Sequence, residues 1–169
     1  MKISTSLFQE SSNVRIYHGT SVESLLQILK GLPTQIKPSK LPDRVTSYVF
    51  FYSFPSHYGN VSISYPLSKL RPQSIQKLIL NNMREAGVDT LEELQPGLGD
   101  IAEKDFMHLS PQKVLDIIKH SELELLWAGP FYLTSDTEIE VSKSSELEKS
   151  VVDEIANLAK KNHISVKFL

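Results

Sequence analysis

The sequence contains no cysteine in its 169 residues. This absence excludes disulfide bonds, thiolate zinc sites and a cysteine nucleophile. Long apolar runs are missing as well, because no window approaches the roughly 18 to 20 apolar residues of a membrane-spanning helix. The opening residues, MKISTSLFQESS, contain no apolar signal core. We therefore expect a cytoplasmic protein without a membrane partner.

An excess of either charge is lacking too, since 18 lysines and arginines stand against 20 aspartates and glutamates, for a formal net charge of −2. This balance argues against a protein that coats nucleic acid, although a local groove is still compatible with it. No two histidines are four residues apart, the spacing typical of helical metal ligands. We therefore predict no metal. The histidines are His18, His57, His108, His120 and His163.

The patterns that are present indicate one mixed domain. Apolar residues make up 40% of the chain, enough at this length for one substantial core. Strand-like patterns at 13–18, 47–52 and 61–67 are followed by a mostly helical stretch at 73–120, and neither repeats nor a flexible linker divide the chain. We predict a single domain over 1–169, of α/β composition and α+β type, with a helical insertion around 73–120.

The remaining segments complete this pattern. Three prolines at 33–46 predict an exposed loop. Further strands are expected at 123–127 and at 131–134 or 137–142, followed by a helix at 145–161 and a final strand in ISVKFL.

The first strand ends in His18-Gly19-Thr20, directly before a helical pattern. Thr20-Ser21-Val22-Glu23 has the form of a capping box, and Gly31 is expected to end the helix. A histidine in this place is most often structural, with the glycine turning the chain. Glycine also lets a ligand lie against the backbone, whose N–H and C=O can bind a planar carboxamide. The helix N-terminus behind it favours phosphate.

The motif His18-Gly19-Thr20-Ser21, followed by LLQILKGL, resembles the first motif of ADP-ribosyltransferases. The similarity is to their His–Tyr–Glu branch, which includes the poly(ADP-ribose) polymerases and the diphtheria-type toxins. In that family the histidine bonds a ribose hydroxyl of NAD, and the glycine backbone holds the nicotinamide amide. The resemblance implies that His18 anchors the ribose, that Gly19 clamps the nicotinamide, and that Thr20 belongs to the same NAD site.

A second stretch, YVFFYSFPSHYGNVSISYPL, matches the family's next strand, short helix and following strand in order. Tyr48, Phe50 and Tyr52 fall on one face of this strand, and the residues between them are expected in the core. Alignment puts Phe50 at the family's usual tyrosine, and Tyr48 or Tyr52 are alternatives on the same face. The resemblance implies that one of them stacks on nicotinamide and that Tyr58 covers its other side.

The third element is a late strand with acidic residues, DTEIEV at 136–141. Glu138 and Glu140 share one face of it, which is equally typical of a solvent-facing strand. Departure of nicotinamide leaves an oxocarbenium-like ribosyl cation, which a fixed carboxylate stabilises. The resemblance implies that Glu138 is catalytic, with Glu140 as the alternative. The Ser-Thr-Ser of the arginine-directed branch occurs only at 4–6, in the wrong order for that branch.

The resemblance implies a fold of split, mostly antiparallel β-sheets with flanking helices and NAD in the cleft between them. It also implies mono-ADP-ribosyl transfer from NAD to a protein or nucleic-acid acceptor, without a metal. Small members of this kind are often bacterial toxins or effectors, which act in a target-cell cytosol and are countered by an antitoxin or immunity protein.

Two alternatives remain. One is a non-catalytic module that binds NAD, ADP-ribose or a protein. The other, an RNA 2′-phosphotransferase, is disfavoured because only four arginines are available to coordinate phosphate, namely Arg15, Arg44, Arg71 and Arg84.

Overall fold

The computed structural model describes residues 14–39, 47–55 and 58–169. In chain order the strands are β1 (Arg15–Thr20), β2 (Gln35–Ile36), β3 (Tyr48–Phe51), β4 (Val61–Pro66), β5 (Leu125–Ala128), β6 (Phe131–Tyr132), β7 (Glu138–Val141) and β8 (Ser165–Phe168). The helices are α1 (Val22–Lys30), α2 (Pro72–Ala86), α3 (Leu91–Leu94), α4 (Glu103–Phe106), α5 (Pro111–His120) and α6 (Lys149–Lys161), with 3-10 turns at Leu67–Lys69 and Ser144–Glu146.

The strands form mostly antiparallel sheets flanked by helices, which confirms the predicted α+β class. The main sheet has the order β1-β4-β7-β8, in which only the β7–β8 pair is parallel. Strands β3 and β5 make a second sheet, and β2 and β6 a third. In the described residues, one isolated bridge, Tyr17 with Tyr52, connects β1 to β3. The β1 and β3 sheets therefore meet at one point and then separate.

One face of the main sheet is apolar and forms part of the core. Ile16, Ile63 and Ile139 lie on this face and are each at most 1% exposed. The register aligns Ile63 with Ile139, and both pack in one cluster with Leu25 of α1 and Ile155 of α6. Burial of each such side chain contributes about 1.5–3 kcal/mol of transfer free energy. The opposite face carries the polar residues of the same strands, so the alternation in the sequence fixes which side of each strand is buried.

Helix α1 begins one residue later than the capping-box prediction indicates. Thr20 still belongs to β1, and the hydroxyl of Ser21 caps the helix by accepting the Ser24 N–H at 3.1 Å. The signal at α5 is confirmed, because Ser110 caps a helix that has Pro111 in its first turn. Both caps satisfy N–H groups that have no partner inside the helix.

Three predicted boundaries need correction. The expected loop at 33–46 contains β2, which exists because its two residues pair with β6. The alternatives given for the third strand region are both occupied, by β6 and by β7. The helix expected from residue 145 starts at Lys149, after a 3-10 turn. Parts of the predictions at 13–18, 33–46 and 56–60 lie outside the described residues.

Helices also fill much of the stretch from Pro72 to His120, where α2 to α5 follow one another. No helix in the part of the chain that the structure describes is both long and apolar enough to cross a membrane.

Candidate functional site

The peptide of Gly19 faces the gap between β1 and β3. Tyr17 and Tyr52 exchange two backbone hydrogen bonds of 2.8 Å, so the peptide groups of Tyr17 point toward β3. The carbonyl of Val14 points the other way, toward β4, where it accepts the Leu67 N–H. Because peptide groups alternate between the two edges of a strand, those of Gly19 also point toward β3. Within the described residues, the pairing with β3 has already ended there.

The ring of His18 occupies the start of this gap. Its Nδ1 lies 2.8 Å from the carbonyl oxygen of Phe50. A carbonyl can only accept, so Nδ1 carries the proton and donates it, and Nε2 of the neutral ring is an acceptor. Burial lowers the pKa of His18 below its ordinary value, and the hydrogen bond to Phe50 partly opposes this shift. His18 is therefore neutral at pH 7, with its tautomer fixed by the neighbouring strand.

A cleft of about 460 Å³ opens beside His18 and Gly19. Its walls are the end of β1, the outer side of α1 and the segment 31–39, and Tyr58 also lines it with 79% of its surface exposed. The volume lies within the range of about 300–1,000 Å³ that is usual for small-molecule sites. Of the lining residues that the structure describes, none is an aspartate or glutamate. The described lining therefore carries no negative charge.

Gly59 fixes the turn that carries Tyr58 against the end of β1. Its φ is +74°, and a Cβ at this position would lie 2.2 Å from the carbonyl oxygen of Thr20. Only glycine combines this conformation with such a close approach. Gly59 was not predicted as a site residue, although Gly-Asn before a strand is a turn signal.

Phe50 lies opposite Gly19 across the gap. The antiparallel bridge between Tyr17 and Tyr52 puts His18 opposite Phe51, and the contact of these two rings, 5.8 Å between centroids, agrees with this register. The next pair in the same register is Gly19 and Phe50, and Phe50 is half-buried. By alternation, its ring lies on the face opposite to that of His18.

The other two aromatic candidates on this face, Tyr48 of β3 and Tyr52 just after it, are engaged elsewhere. The hydroxyl of Tyr52 donates to Glu124 at 3.2 Å, and Tyr48 is buried opposite Ala128. Phe50 is thus the ring of this face that stands nearest in register to the Gly19 peptide.

The two glutamates lie on the polar face of the main sheet, opposite to the face of His18. Glu140 pairs with Ser62, and Ser62 pairs with Gly19, so the three form one row across β7, β4 and β1. Two steps across antiparallel strands separate the Cα atoms of Gly19 and Glu140 by about 10 Å. A depression of about 280 Å³, lined in part by Ser62 and Glu140, lies on this face.

Glu138 stands in the neighbouring row, with Ser64 and Tyr17. Its carboxylate is 3.7 Å from Nε of Arg15, and its side chain is 63% exposed. Arg15 also donates to Ser64 Oγ at 2.9 Å, which fixes the guanidinium beside Glu138. Glu138 therefore forms an ion pair, whereas Glu140 forms none among the described residues, although Lys167 of β8 is its register partner and lines the same depression.

Ser62 has a property that the sequence analysis missed. Its Oγ is buried, and no hydrogen-bond partner for it exists among the described residues. Such atoms are uncommon in folded proteins, because a buried hydroxyl without a partner costs about 1–3 kcal/mol. The hydroxyl lies in the row between the open peptide of Gly19 and the carboxylate of Glu140.

The structure thus brings His18, Gly19, Thr20 and Tyr58 together around the cleft, and puts Glu138 and Glu140 on the other side of the sheet. Gly19 belongs to both the cleft and the polar row. Among the described residues, no group of three histidine, aspartate or glutamate side chains is close enough to hold a metal ion. Comparisons with known protein families, curated proteins and solved structures find no match for the chain.

Proposed function

We propose that this chain transfers ADP-ribose from NAD to an acceptor and releases nicotinamide. The observation that carries the proposal is the row of Phe50, Gly19, Ser62 and Glu140 across the gap between β1 and β3. Along this row an aromatic ring, an open peptide, a buried hydroxyl and a carboxylate follow one another. We assign the ring and the peptide to the nicotinamide and the carboxylate to the ribosyl cation, an order that follows the nicotinamide and its ribose.

The nicotinamide is bound at Gly19. A carboxamide presents one donor and one acceptor in a plane, and the C=O and N–H of Gly19 complement both. Phe50 lies opposite Gly19, and Tyr58 lines the cleft beside it, so the pyridine ring has an aromatic neighbour on either side. Such ring contacts contribute about 0.5–1.5 kcal/mol each beyond the area that they bury.

The ribose is placed at the open edge of β1 beside Gly19, where His18 approaches it from the cleft and Glu140 from the polar face of the sheet. Nε2 of the neutral His18 accepts a hydrogen bond from a ribose hydroxyl. The C1′–N bond breaks, and its electron pair leaves with nicotinamide. The carboxylate of Glu140 stabilises the ribosyl cation, which the acceptor attacks at C1′ as it gives up a proton. Glu138 is less suited, because its carboxylate already forms an ion pair with Arg15, whereas Glu140 forms none among the described residues.

Nicotinamide release tests this proposal with water as the acceptor. The purified protein is incubated with NAD, and released nicotinamide is quantified by chromatography. Glu140→Gln should reduce release by about 100-fold or more, the scale for removing an electrostatic stabiliser of the transition state. Glu138→Gln is the matched control on the same strand and should change release less than tenfold.

His18→Asn is the second variant. Its amide donates from near the position of Nδ1, so the bond to Phe50 is kept and only the Nε2 acceptor is lost. Release should fall in this variant without loss of the thermal transition. Equal rates in all variants would overturn the proposal. A loss confined to Glu138→Gln would assign the carboxylate to Glu138 instead.

A second candidate is a module that binds NAD or ADP-ribose without turnover. It is favoured by the exposure of Glu140 on an open sheet face, where solvent weakens its stabilisation of a cation. It predicts saturable NAD binding with no release of nicotinamide. The protein or nucleic-acid acceptor, the toxin or effector role, the immunity partner and the cytosolic site of action belong to the proposal through the family resemblance alone.

A further inference from the structure

Lys37 supplies the positive charge on the described walls of the cleft. Although the chain has 20 acidic residues, no carboxylate lines the described part of the cleft, and His18 is neutral at pH 7. The ammonium of Lys37 is thus the one full charge on its described walls. The uncharged polar side chains of the lining include those of Ser24, Gln27, Gln35 and Ser39.

The backbone of Lys37 is held from both sides. Ile36 pairs with Phe131 in the β2–β6 sheet, and Ser39 exchanges backbone hydrogen bonds of 2.9 and 3.1 Å with Tyr48. No described side chain makes an ion pair or hydrogen bond with the ammonium of Lys37, which is exposed. A fixed backbone with an unpaired cation in a cleft without carboxylates is an arrangement that favours an anionic ligand.

We infer that Lys37 binds the diphosphate of a dinucleotide in this cleft. The inference rests on the proposed function, since the diphosphate follows the ribose when nicotinamide is bound at Gly19. The ligand portion is named by its chemistry: two adjacent phosphates carry the only formal negative charge of NAD and of ADP-ribose. A lysine contacts them as a flexible point charge, so the interaction is sensitive to salt.

Calorimetric binding of ADP-ribose and of adenosine tests the inference without any turnover. Lys37→Met removes the charge and keeps most of the side-chain length. It should weaken ADP-ribose binding about fivefold, equivalent to about 1 kcal/mol, and leave adenosine binding within twofold. The difference should shrink between low and high salt. Lys69→Met, at an exposed position outside the cleft, is the matched control and should change neither affinity.

Two outcomes overturn the inference: ADP-ribose binds Lys37→Met as tightly as the unaltered protein, or adenosine weakens equally. Absence of ADP-ribose binding by the unaltered protein would overturn it as well. Failure of the proposed transfer looks different. In that case ADP-ribose binds through Lys37 while no nicotinamide is released. Conversely, release with an unchanged KM for NAD in Lys37→Met would refute the role of Lys37 and leave the proposed transfer intact.

Discussion

Replacement of Gly59 by alanine tests the contact that holds the Tyr58 turn against the end of β1. The new Cβ would lie 2.2 Å from the carbonyl oxygen and 2.7 Å from the carbonyl carbon of Thr20, well short of the 3.4 Å at which ordinary contacts begin. Both atoms belong to the backbone, so no side chain can rotate away. The turn must therefore move by about 1 Å relative to His18-Gly19-Thr20, the scale at which overpacking becomes costly.

The expected loss in the free energy of unfolding has two contributions. A left-handed conformation costs an alanine about 1–2 kcal/mol, partly offset by about 0.4–1 kcal/mol from the lower entropy of the unfolded chain. Overlap with the backbone of Thr20 adds about 1–3 kcal/mol. Gly87→Ala is the matched control, because its φ of +70° is nearly the same and nothing lies within 4 Å of its new Cβ. Only the first part applies there.

Urea denaturation, followed by the fluorescence of the single tryptophan, Trp127, measures both variants. Gly59→Ala should lose about 1–3 kcal/mol more of the free energy of unfolding than Gly87→Ala. NAD affinity should fall in Gly59→Ala only, because Tyr58 moves with the turn. Equal losses of stability in the two variants would refute the close approach of Gly59 to Thr20.

Two further predictions concern pH. The Glu92 carboxylate accepts the N–H groups of Gly97 and Gly99 at 2.8 Å each, and these bonds lower the pKa of Glu92. The two bonds stabilise the fold above the ordinary glutamate pKa, and this stabilisation is lost as the pH falls through the lowered pKa of Glu92. Glu92→Gln should therefore reduce the Tm at pH 7 and leave it unchanged in strong acid. Equal reductions of the Tm at both pH values would contradict the stabilising role of these bonds. Burial lowers the pKa of His18 in the folded protein, so below about pH 6.5 this histidine binds a proton more readily in the unfolded chain than in the folded one. Acid therefore favours unfolding. Stability measured by urea at pH 7.5 and 5.5 should therefore fall more in the unaltered protein than in His18→Asn, and parallel losses would refute a buried neutral imidazole.

Local patterns in the sequence predict much of the fold. The alternation of β1, the helical spacing of α1 and the Ser110-Pro111 start of α5 each depend on neighbours within a few residues. Helix α1 is displaced by only one residue, since either Thr20 or Ser21 is a good N-cap. By contrast, β2 could not be predicted, because two residues form a strand only where a distant partner, β6, pairs with them.

The sequence indicates which types of residue form the candidate site, but it does not indicate which of them share a face of the sheet. The motif His18-Gly19-Thr20 is local, and the structure puts its three residues at the edge of a cleft. Which face Glu140 shares with Gly19 depends on the register through Ser62 of β4, a strand far from both in sequence. Lys37 was missed for the same reason, since the loop pattern around it gives no signal of the cleft.

The most direct test of the account is the amide resonance of Gly19 in ¹⁵N-labelled protein during titration with NAD. Nicotinic acid adenine dinucleotide is the matched ligand, because it replaces the carboxamide by a carboxylate that cannot donate to the Gly19 carbonyl. The account predicts a shift of the Gly19 resonance with NAD and at least tenfold weaker binding of the acid, equivalent to about 1.4 kcal/mol. An unperturbed Gly19 resonance at saturating NAD, or equal affinity for both dinucleotides, would contradict the nicotinamide site at Gly19.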